Sequence, residues 1–304
     1  MVSVIMSTYK EPKSYVKLSV ESILNQSYKS IEYIVIVDDP TNIDLIDLLK
    51  SYAEKDKRIR FFINNKNLGL TASLNRALQY ANGEYIARMD ADDISSANRI
   101  EEQLAFLQRH NLDLVGGNVQ DIDENGNILS NPTVYPEFSS SISKKAEYSS
   151  PLAHPTWLGK KEVFERLNGY QEIDACEDYD FLVRAILAGF KIGNVQATVL
   201  QYRINPHSIS STKKARQKTA LFFVRENYRR GRVTTEAEYC QFMESPAGQK
   251  KLSDLEEYYR KTSKMKKMSR NKITKALYMA TIFVTCNEAR LLFANTIKEK
   301  LYVR

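Results

Sequence analysis

Cysteine is scarce. The 304-residue chain holds three, Cys176, Cys240 and Cys286, far apart and with no Cys-x-x-Cys pair. That excludes a disulfide framework and a thiolate metal site, and it fits a reducing cytosol. Long apolar runs are missing too. The uncharged run from Ala276 to Asn287 spans 12 residues, short of the roughly 20 that cross a bilayer. The chain opens on Val2-Ser3-Val4-Ile5-Met6 without a basic segment leading a long apolar one, so no signal peptide is expected. No Gly-x-Gly-x-x-Gly follows the first apolar segment, and there is no Walker-type loop. These absences argue against a dinucleotide site and against an NTPase. No repeat of solenoid period is found.

What is present reads as a folded globular chain. Hydrophobic residues make up 43% and charged residues 27%, which argues against disorder, a fibrous repeat or a membrane bundle. The net charge of +7 is unevenly spread. Residues 1–212 carry 22 Lys+Arg against 28 Asp+Glu, and residues 213–304 carry 22 against 9. An acidic body therefore bears a basic tail, which suggests an acidic partner for the tail or simply a solvated helical surface.

Short β-branched runs alternate with helical patterns from the start. Val2–Ser7, Ile31–Val37, Arg58–Ile63, Glu84–Met89 and Leu112–Val119 read as strands. Lys13–Gln26, Ile43–Lys55, Leu70–Asn82 and Ala97–His110 read as helices. The order predicts an α/β fold with a Rossmann-like, doubly wound, mostly parallel sheet. Further on, a turn at Asp123–Gly126, helices at Lys161–Leu167 and Glu177–Ala188, and a strand at Val195–Arg203 are expected. Beyond residue 213 the chain reads as a helical extension.

Ligands in such sheets bind beyond the carboxyl ends of the strands. Asp38-Asp39 follows the second strand and Asp90-Ala91-Asp92-Asp93 the fourth. Two carboxylates at spacing two, on a backbone bend, offer hard oxygen ligands suited to Mg²⁺ or Mn²⁺. The competing reading is that Asp92 or Asp93 caps the next helix. An acidic pair at a strand end can accept from ribose hydroxyls or base N–H groups, or it can close a turn.

Taken in order, the motifs are more specific than any one of them. They are Val2–Tyr9, Ser22–Tyr28, Ile34–Asp39, Asn67-Leu68-Gly69 with Asn75, Gly83–Asp93, His154-Pro155, Gly169-Tyr170, Glu177–Asp180 and Tyr202-Arg203. This set resembles the family 2 glycosyltransferases over about residues 1–212. The resemblance implies a GT-A fold, a nucleotide-sugar half at about 1–119 and an acceptor half at about 120–212. It implies a nucleotide-sugar donor, a UDP-hexose or UDP-N-acetylhexosamine by family tendency. The nucleotide-sugar side would comprise Thr8, Tyr9, Glu11, Asp38, Asp39, Asn67, Gly69, Asn75 and Asp90. A divalent cation, Mn²⁺ or Mg²⁺, would sit on Asp92 and Asp90, with His207 a further ligand. Asp178 would be the catalytic base and Glu177 its support. His154, Trp157, Gly169 and Tyr170 would lie on the acceptor side. His154 would position, and the two aromatics would stack on a sugar or pack in the core.

The sequence departs from the family pattern twice. Pro40-Thr41-Asn42 stands where Gly-Ser-Thr is usual, and Ser73-Leu74-Asn75 where Ala-Arg-Asn is frequent. Arg76 or Lys66 is then the candidate basic residue near the donor.

The expected reaction is inverting transfer to a saccharide or lipid-linked acceptor in synthesis of a surface polysaccharide such as a capsule. The alternative is a non-catalytic nucleotide-sugar-binding or assembly module. Basic residues from Arg260 to Lys275 precede Ile273, Leu277, Ala280 and Val284 at helical spacing. That suits either an anionic membrane surface contacted through 260–290, on the inner face of a membrane, or packing on the core or on a second copy in a homodimer. Nucleic acid is not an expected partner, since no aromatics interleave the basic residues and no binding motif occurs.

Overall fold

The computed structural model describes residues 1–204, 213–267 and 272–302. His207, the third expected metal ligand, lies outside them. The first half runs β1 (Val2–Thr8), α1 (Lys13–Leu24), β2 (Ile31–Val37), α2 (Ile43–Lys55), β3 (Ile59–Ile63), α3 (Leu70–Tyr80), β4 (Tyr85–Asp90), β5 (Ile94–Ser95) and α4 (Arg99–Arg109). There follow β6 (Leu114–Ile122), α5 (Ser139–Ala146), a 3-10 turn at His154–Thr156, β7 (Leu158–Lys160), α6 (Lys161–Arg166), α7 (Glu177–Leu187) and β8 (Ile192–Arg203). Among the described residues, five helices follow: α8 (Lys214–Arg229), α9 (Glu236–Glu244), α10 (Pro246–Lys267), α11 (Lys272–Thr285) and α12 (Asn287–Tyr302).

A strand that is apolar along nearly its whole length must be covered on both faces, and β2, buried at every position, is. Tyr33, Val35 and Val37 pack with Val16 and Val20 of α1 and Leu45 and Leu49 of α2. Ile34 and Ile36 belong to the opposite layer, with Leu74 and Ala77 of α3 and Phe181 and Ala185 of α7. The eight strands lie in the order β3-β2-β1-β4-β7-β6-β8-β5. β1 to β4 are mutually parallel and β6 parallels β8, while β7 and β5 run antiparallel to their neighbours. The expected α/β, mostly parallel architecture is therefore present. Because β1 to β4 all point the same way, Tyr9, Asp38, Asn64 and Asp92 emerge along one edge.

Several boundaries differ from expectation. β6 runs three residues further, to Ile122, and β8 starts earlier, at Ile192. β5 and β7 were not foreseen, having only two and three residues. β5 matters for the site. It separates Asp92 and Asp93 from α4, whose N-cap is Asn98, so neither carboxylate caps that helix. Gln26 fixes the bend. Its Nε2 donates to Ser96 O at 2.6 Å and Ser95 Oγ at 3.2 Å, and its Oε1 accepts from Ile100 N at 3.1 Å.

The C-terminal helices are joined to this core. Ala220 and Val224 of α8 and Tyr239 of α9 form one buried cluster with Ile173, Tyr179 and Val183. Lys251 and Glu288 pair at 2.8 Å, nearly buried, between α10 and α12. Among the described residues no helix is long and apolar enough to cross a membrane.

Candidate active site

The donor edge is built from strand ends that hold their own loops. Glu11 Oε2 accepts from Thr8 Oγ1 and from Tyr9 N, each at 2.7 Å, which sets the turn leaving β1. Asp39 Oδ1 accepts from Thr41 Oγ1 at 2.6 Å and Thr41 N at 3.1 Å. Those bonds hold its carboxyl below the usual aspartate range. The atypical Pro40-Thr41-Asn42 turn thus closes on Asp39, and Asn42 caps α2 by accepting from Leu45 N.

Asp38 turns inward instead. It is buried, and its carboxylate accepts from Asn64 Nδ2 at 2.6 Å and from Leu68 N and Gly69 N at 2.8 Å. It holds the Asn67-Leu68-Gly69 loop, so its carboxylate is committed within the fold. Gly69, with φ +90°, is the N-cap of α3, a conformation that glycine adopts without strain. In Asp38→Ala, Asn64 Nδ2 keeps Ser73 Oγ at 2.9 Å and Gly69 N keeps Asn67 Oδ1 at 3.0 Å, while Leu68 N loses its acceptor, a loss of about 1–3 kcal/mol for a buried donor. A lower midpoint in urea denaturation is expected.

Arg76 is bonded within the fold. Its Nη1 donates to Ile63 O at 2.9 Å and to Asn64 Oδ1. Asn75 is also committed elsewhere. Its Nδ2 donates to Tyr170 O at 2.8 Å and its Oδ1 accepts from Tyr170 N at 2.9 Å. It fastens α3 to the Gly169-Tyr170 turn. At Gly169, φ is +68° and a Cβ would stand 2.4 Å from Asn75 Oδ1, so this position needs glycine.

Asp90 ends β4. Arg88, two residues earlier and fully buried, places Nη1 2.6 Å from Asp90 Oδ1. Ser19 Oγ donates to Asp90 O at 2.8 Å. Asp92 stands just beyond. Burial, then the charges of Asp90 and Glu11, push its carboxyl up to about 7. Asp93 is fully buried; its Oδ1 accepts from Arg203 N at 2.8 Å and burial raises its carboxyl strongly. Arg203 also donates from Nε to Asp92 O at 2.9 Å and from Nη1 to Asp123 O at 2.7 Å. It clamps the acidic bend to the turn after β6. Arg88 and Arg203 lie within the Gly83–Asp93 and Tyr202-Arg203 motifs, but the sequence alone assigns neither a role.

Crowded hard-oxygen carboxylates at a half-open edge fit Mg²⁺ or Mn²⁺, whose remaining positions go to phosphate oxygens and water. Among the described residues, no group of three or more His, Cys, Asp or Glu is arranged to hold an ion.

Asp178 and Glu177 open α7, whose N-cap is Cys176, so Asp178 is not the cap. Tyr179 N donates to Asp178 Oδ1 at 2.6 Å. Burial, then Asp178, push Glu177 up to about 8. Burial also raises Asp178 above the ordinary aspartate range. The charge of Asp90 acts on both, and that of Arg88 opposes it. The acidic bend and the α7 pair therefore share one electrostatic environment.

Behind them, His154 Nε2 lies 3.0 Å from Tyr170 Oη, and the His154 ring packs edge-on against Trp157. Burial and Arg88 hold the His154 imidazole neutral. Trp157 is 0% exposed and Tyr170 3%. Both pack on Phe181, in the layer beneath the sheet, so neither stacks on an acceptor sugar. Of the two fates expected for these aromatics, packing in the core is the one seen.

Comparison with known proteins follows the same line. The sequence profile described as glycosyl transferase family 2 matches residues 3–167. The uncharacterized glycosyltransferase MJ1057 of Methanocaldococcus jannaschii is 39% identical over 207 residues, 67% of this chain and 71% of its own length. The O-antigen biosynthesis glycosyltransferase WbnJ of Escherichia coli is 32% identical over 237 residues, 77% of this chain and 91% of its own. Two solved structures share the fold, which is the expected GT-A arrangement. One is the mannosyltransferase PcManGT from Pyrobaculum calidifontis with GDP-Man and Mn²⁺, at TM-score 0.61 and 16% identity over 98% of this chain and 86% of that one. The other is TarS 1–349 of S. aureus with UDP-GlcNAc, at TM-score 0.59 and 17% identity over 84% and 79%.

Proposed function

This chain belongs to glycosyl transferase family 2 and is a glycosyltransferase, and from that premise we propose the reaction it carries out. It moves a hexose or N-acetylhexosamine from its UDP-sugar to a hydroxyl of a saccharide or lipid-linked acceptor in surface polysaccharide synthesis, inverting the anomeric carbon. Residues 1–212 form the catalytic part and 213–304 a helical region. The observation that supports this reading is that Asp90, at the end of β4, lies near enough to Glu177 and Asp178, at the start of α7, for its charge to act on both carboxyls. O-antigen synthesis in WbnJ and UDP-GlcNAc in the TarS structure support the acceptor and donor classes.

The chemistry follows from the two carboxylate sets. Thr8, Tyr9, Glu11 and Asp39 face the nucleoside, with Asn67 beside them. A divalent ion held by Asp92 and Asp90 would offset charge developing on the departing diphosphate. On the opposite face the acceptor oxygen forms its bond to C1 as the bond from C1 to the β-phosphate oxygen breaks. Asp178 takes the acceptor's proton. Burial and the neighbouring Asp178 raise Glu177 and favour its protonated form, which would leave the negative charge on Asp178. The test is a screen of nucleotide sugars with Mn²⁺, reading slow release of the nucleotide. UDP release from a UDP-sugar is expected; release confined to GDP-sugars contradicts the donor assignment.

The tail supports peripheral attachment to an anionic membrane on its inner, cytoplasmic face. Met279, Phe283 and Val284 of α11 and Phe293 and Ile297 of α12 are exposed, and the Phe283 and Phe293 rings meet at 5.5 Å. Arg290 and Lys298 are exposed on the same hairpin. The side chains of Lys266, Lys267, Arg270, Lys272 and Lys275 lie outside the described residues. Apolar side chains flanked by cations suit anionic headgroups. The protein is expected to float with phosphatidylglycerol vesicles and not with phosphatidylcholine ones, and Phe283→Ser with Phe293→Ser to abolish it. Unchanged flotation of that variant, or a dimer that dissociates in it, contradicts the membrane assignment.

A further inference from the structure

The segment that delivers Asp178 is held from outside the catalytic part. Between α6 and α7 the chain runs through Gln171–Cys176 without regular structure. Ala175, immediately before the Cys176 cap, has φ +52°. A residue with a Cβ is strained in this left-handed conformation and stays there only if its surroundings hold it. The restraints come from α8 and α9. Gln217 Nε2 donates to Ala175 O at 3.0 Å. Asp174 Oδ2 takes Arg216 Nη1 at 2.9 Å and Tyr239 Oη at 3.1 Å. At the loop's start, Glu172 N donates to Glu236 Oε1 at 2.7 Å and Glu236 N donates to Gln171 Oε1 at 3.0 Å. Gln171 Nε2 in turn donates to Thr234 O at 3.0 Å and Asp180 Oδ2 at 3.2 Å.

We propose that Arg216, Gln217, Glu236 and Tyr239 are positioning residues for the transfer, holding the Gln171–Cys176 loop in the shape that presents Asp178 to the cleft. The inference rests on Asp178 as base. The C-terminal helices are then a working part of the catalytic unit. An apolar contact alone would secure α8 to α7; six polar bonds from residues 216–239 converge on one short loop, three of them on the strained Ala175 and its neighbour Asp174, and fix the loop's conformation instead. Misplacing a reacting group by about 1 Å can lower a rate on the order of 100-fold.

The test compares Asp174→Ala, Gln217→Ala and Tyr239→Phe, with Asp174→Asn as the conservative variant that keeps an acceptor. Each is followed by UDP release from the donor found in the screen, by UDP affinity, and by amide hydrogen exchange over 171–180. Asp174→Ala and Gln217→Ala are expected to lower kcat at least about tenfold with UDP affinity unchanged, and to raise exchange across that segment only. Asp174→Asn should recover much of the rate. Ala175→Gly, which is at home at φ +52°, should restore part of the loss in Gln217→Ala. Wild-type kcat and wild-type protection in both alanine variants overturn the proposal, as does a Gln217→Ala, Ala175→Gly double variant no better than Gln217→Ala. The base reading fails separately, by an Asp178→Asn enzyme that transfers normally while loop exchange still responds to Asp174→Ala.

Discussion

Asp178→Asn lowers sugar transfer by about 10²–10⁴-fold, the usual worth of a positioned general base, and leaves UDP affinity where it was. The amide keeps the size and the bond to Tyr179 N, so the loss isolates proton acceptance. The pH profile carries the same information. Asp178 must be ionised to take the acceptor's proton, and burial raises its pKa. Transfer therefore rises with pH, and the acid limb lies above the ordinary aspartate value of 3.8. In Asp178→Asn that limb disappears. A full-rate variant, or an unchanged acid limb in it, refutes the assignment.

The second large effect separates two carboxylates that look alike. Asp92→Asn removes a group crowded by Asp90 and Glu11, so the fold loses little and the melting temperature holds or rises. The enhancement of UDP binding by Mn²⁺ disappears, read by titration of UDP with and without the ion. Asp90→Asn behaves differently. Arg88 is fully buried and Asp90 is its partner at 2.6 Å, and stripping a buried charge of its partner costs about 3–5 kcal/mol. Asp90→Asn therefore melts well below the wild type, and Asp92→Asn does not. Equal melting in the two variants contradicts this division.

The contrast explains what the sequence could and could not reveal. Asp90 and Asp92 were legible because they end a buried strand in a sheet whose parallel order follows from alternating elements. The inward turn of Asp38 beside the outward Asp39 was not, since only the path of the Asn64–Gly69 loop decides which of two adjacent carboxylates it captures. Asn75 could not be assigned because its partner, Tyr170, is 95 residues away. Trp157 and Tyr170 were ambiguous for the same reason: whether an aromatic faces a sugar or the core depends on Phe181, supplied by a distant helix. β5 and β7 are too short for any periodicity to register, and both exist through pairing with strands far along the chain. Arg88 and Arg203 carry no spacing signal, yet they neutralise and pin the acidic bend. The tail showed its charge but not its contacts with the loop before α7.

Real-time proton NMR of donor hydrolysis tests the central geometry most directly, because water then stands in for the acceptor. With an α-linked UDP-sugar and Mn²⁺, a single displacement driven from the Asp178 side yields the β-anomer of the free sugar first, before mutarotation. The α-anomer appearing first would contradict opposed attack and departure. UDP bound but never released from its sugar would mark the chain as a binding module.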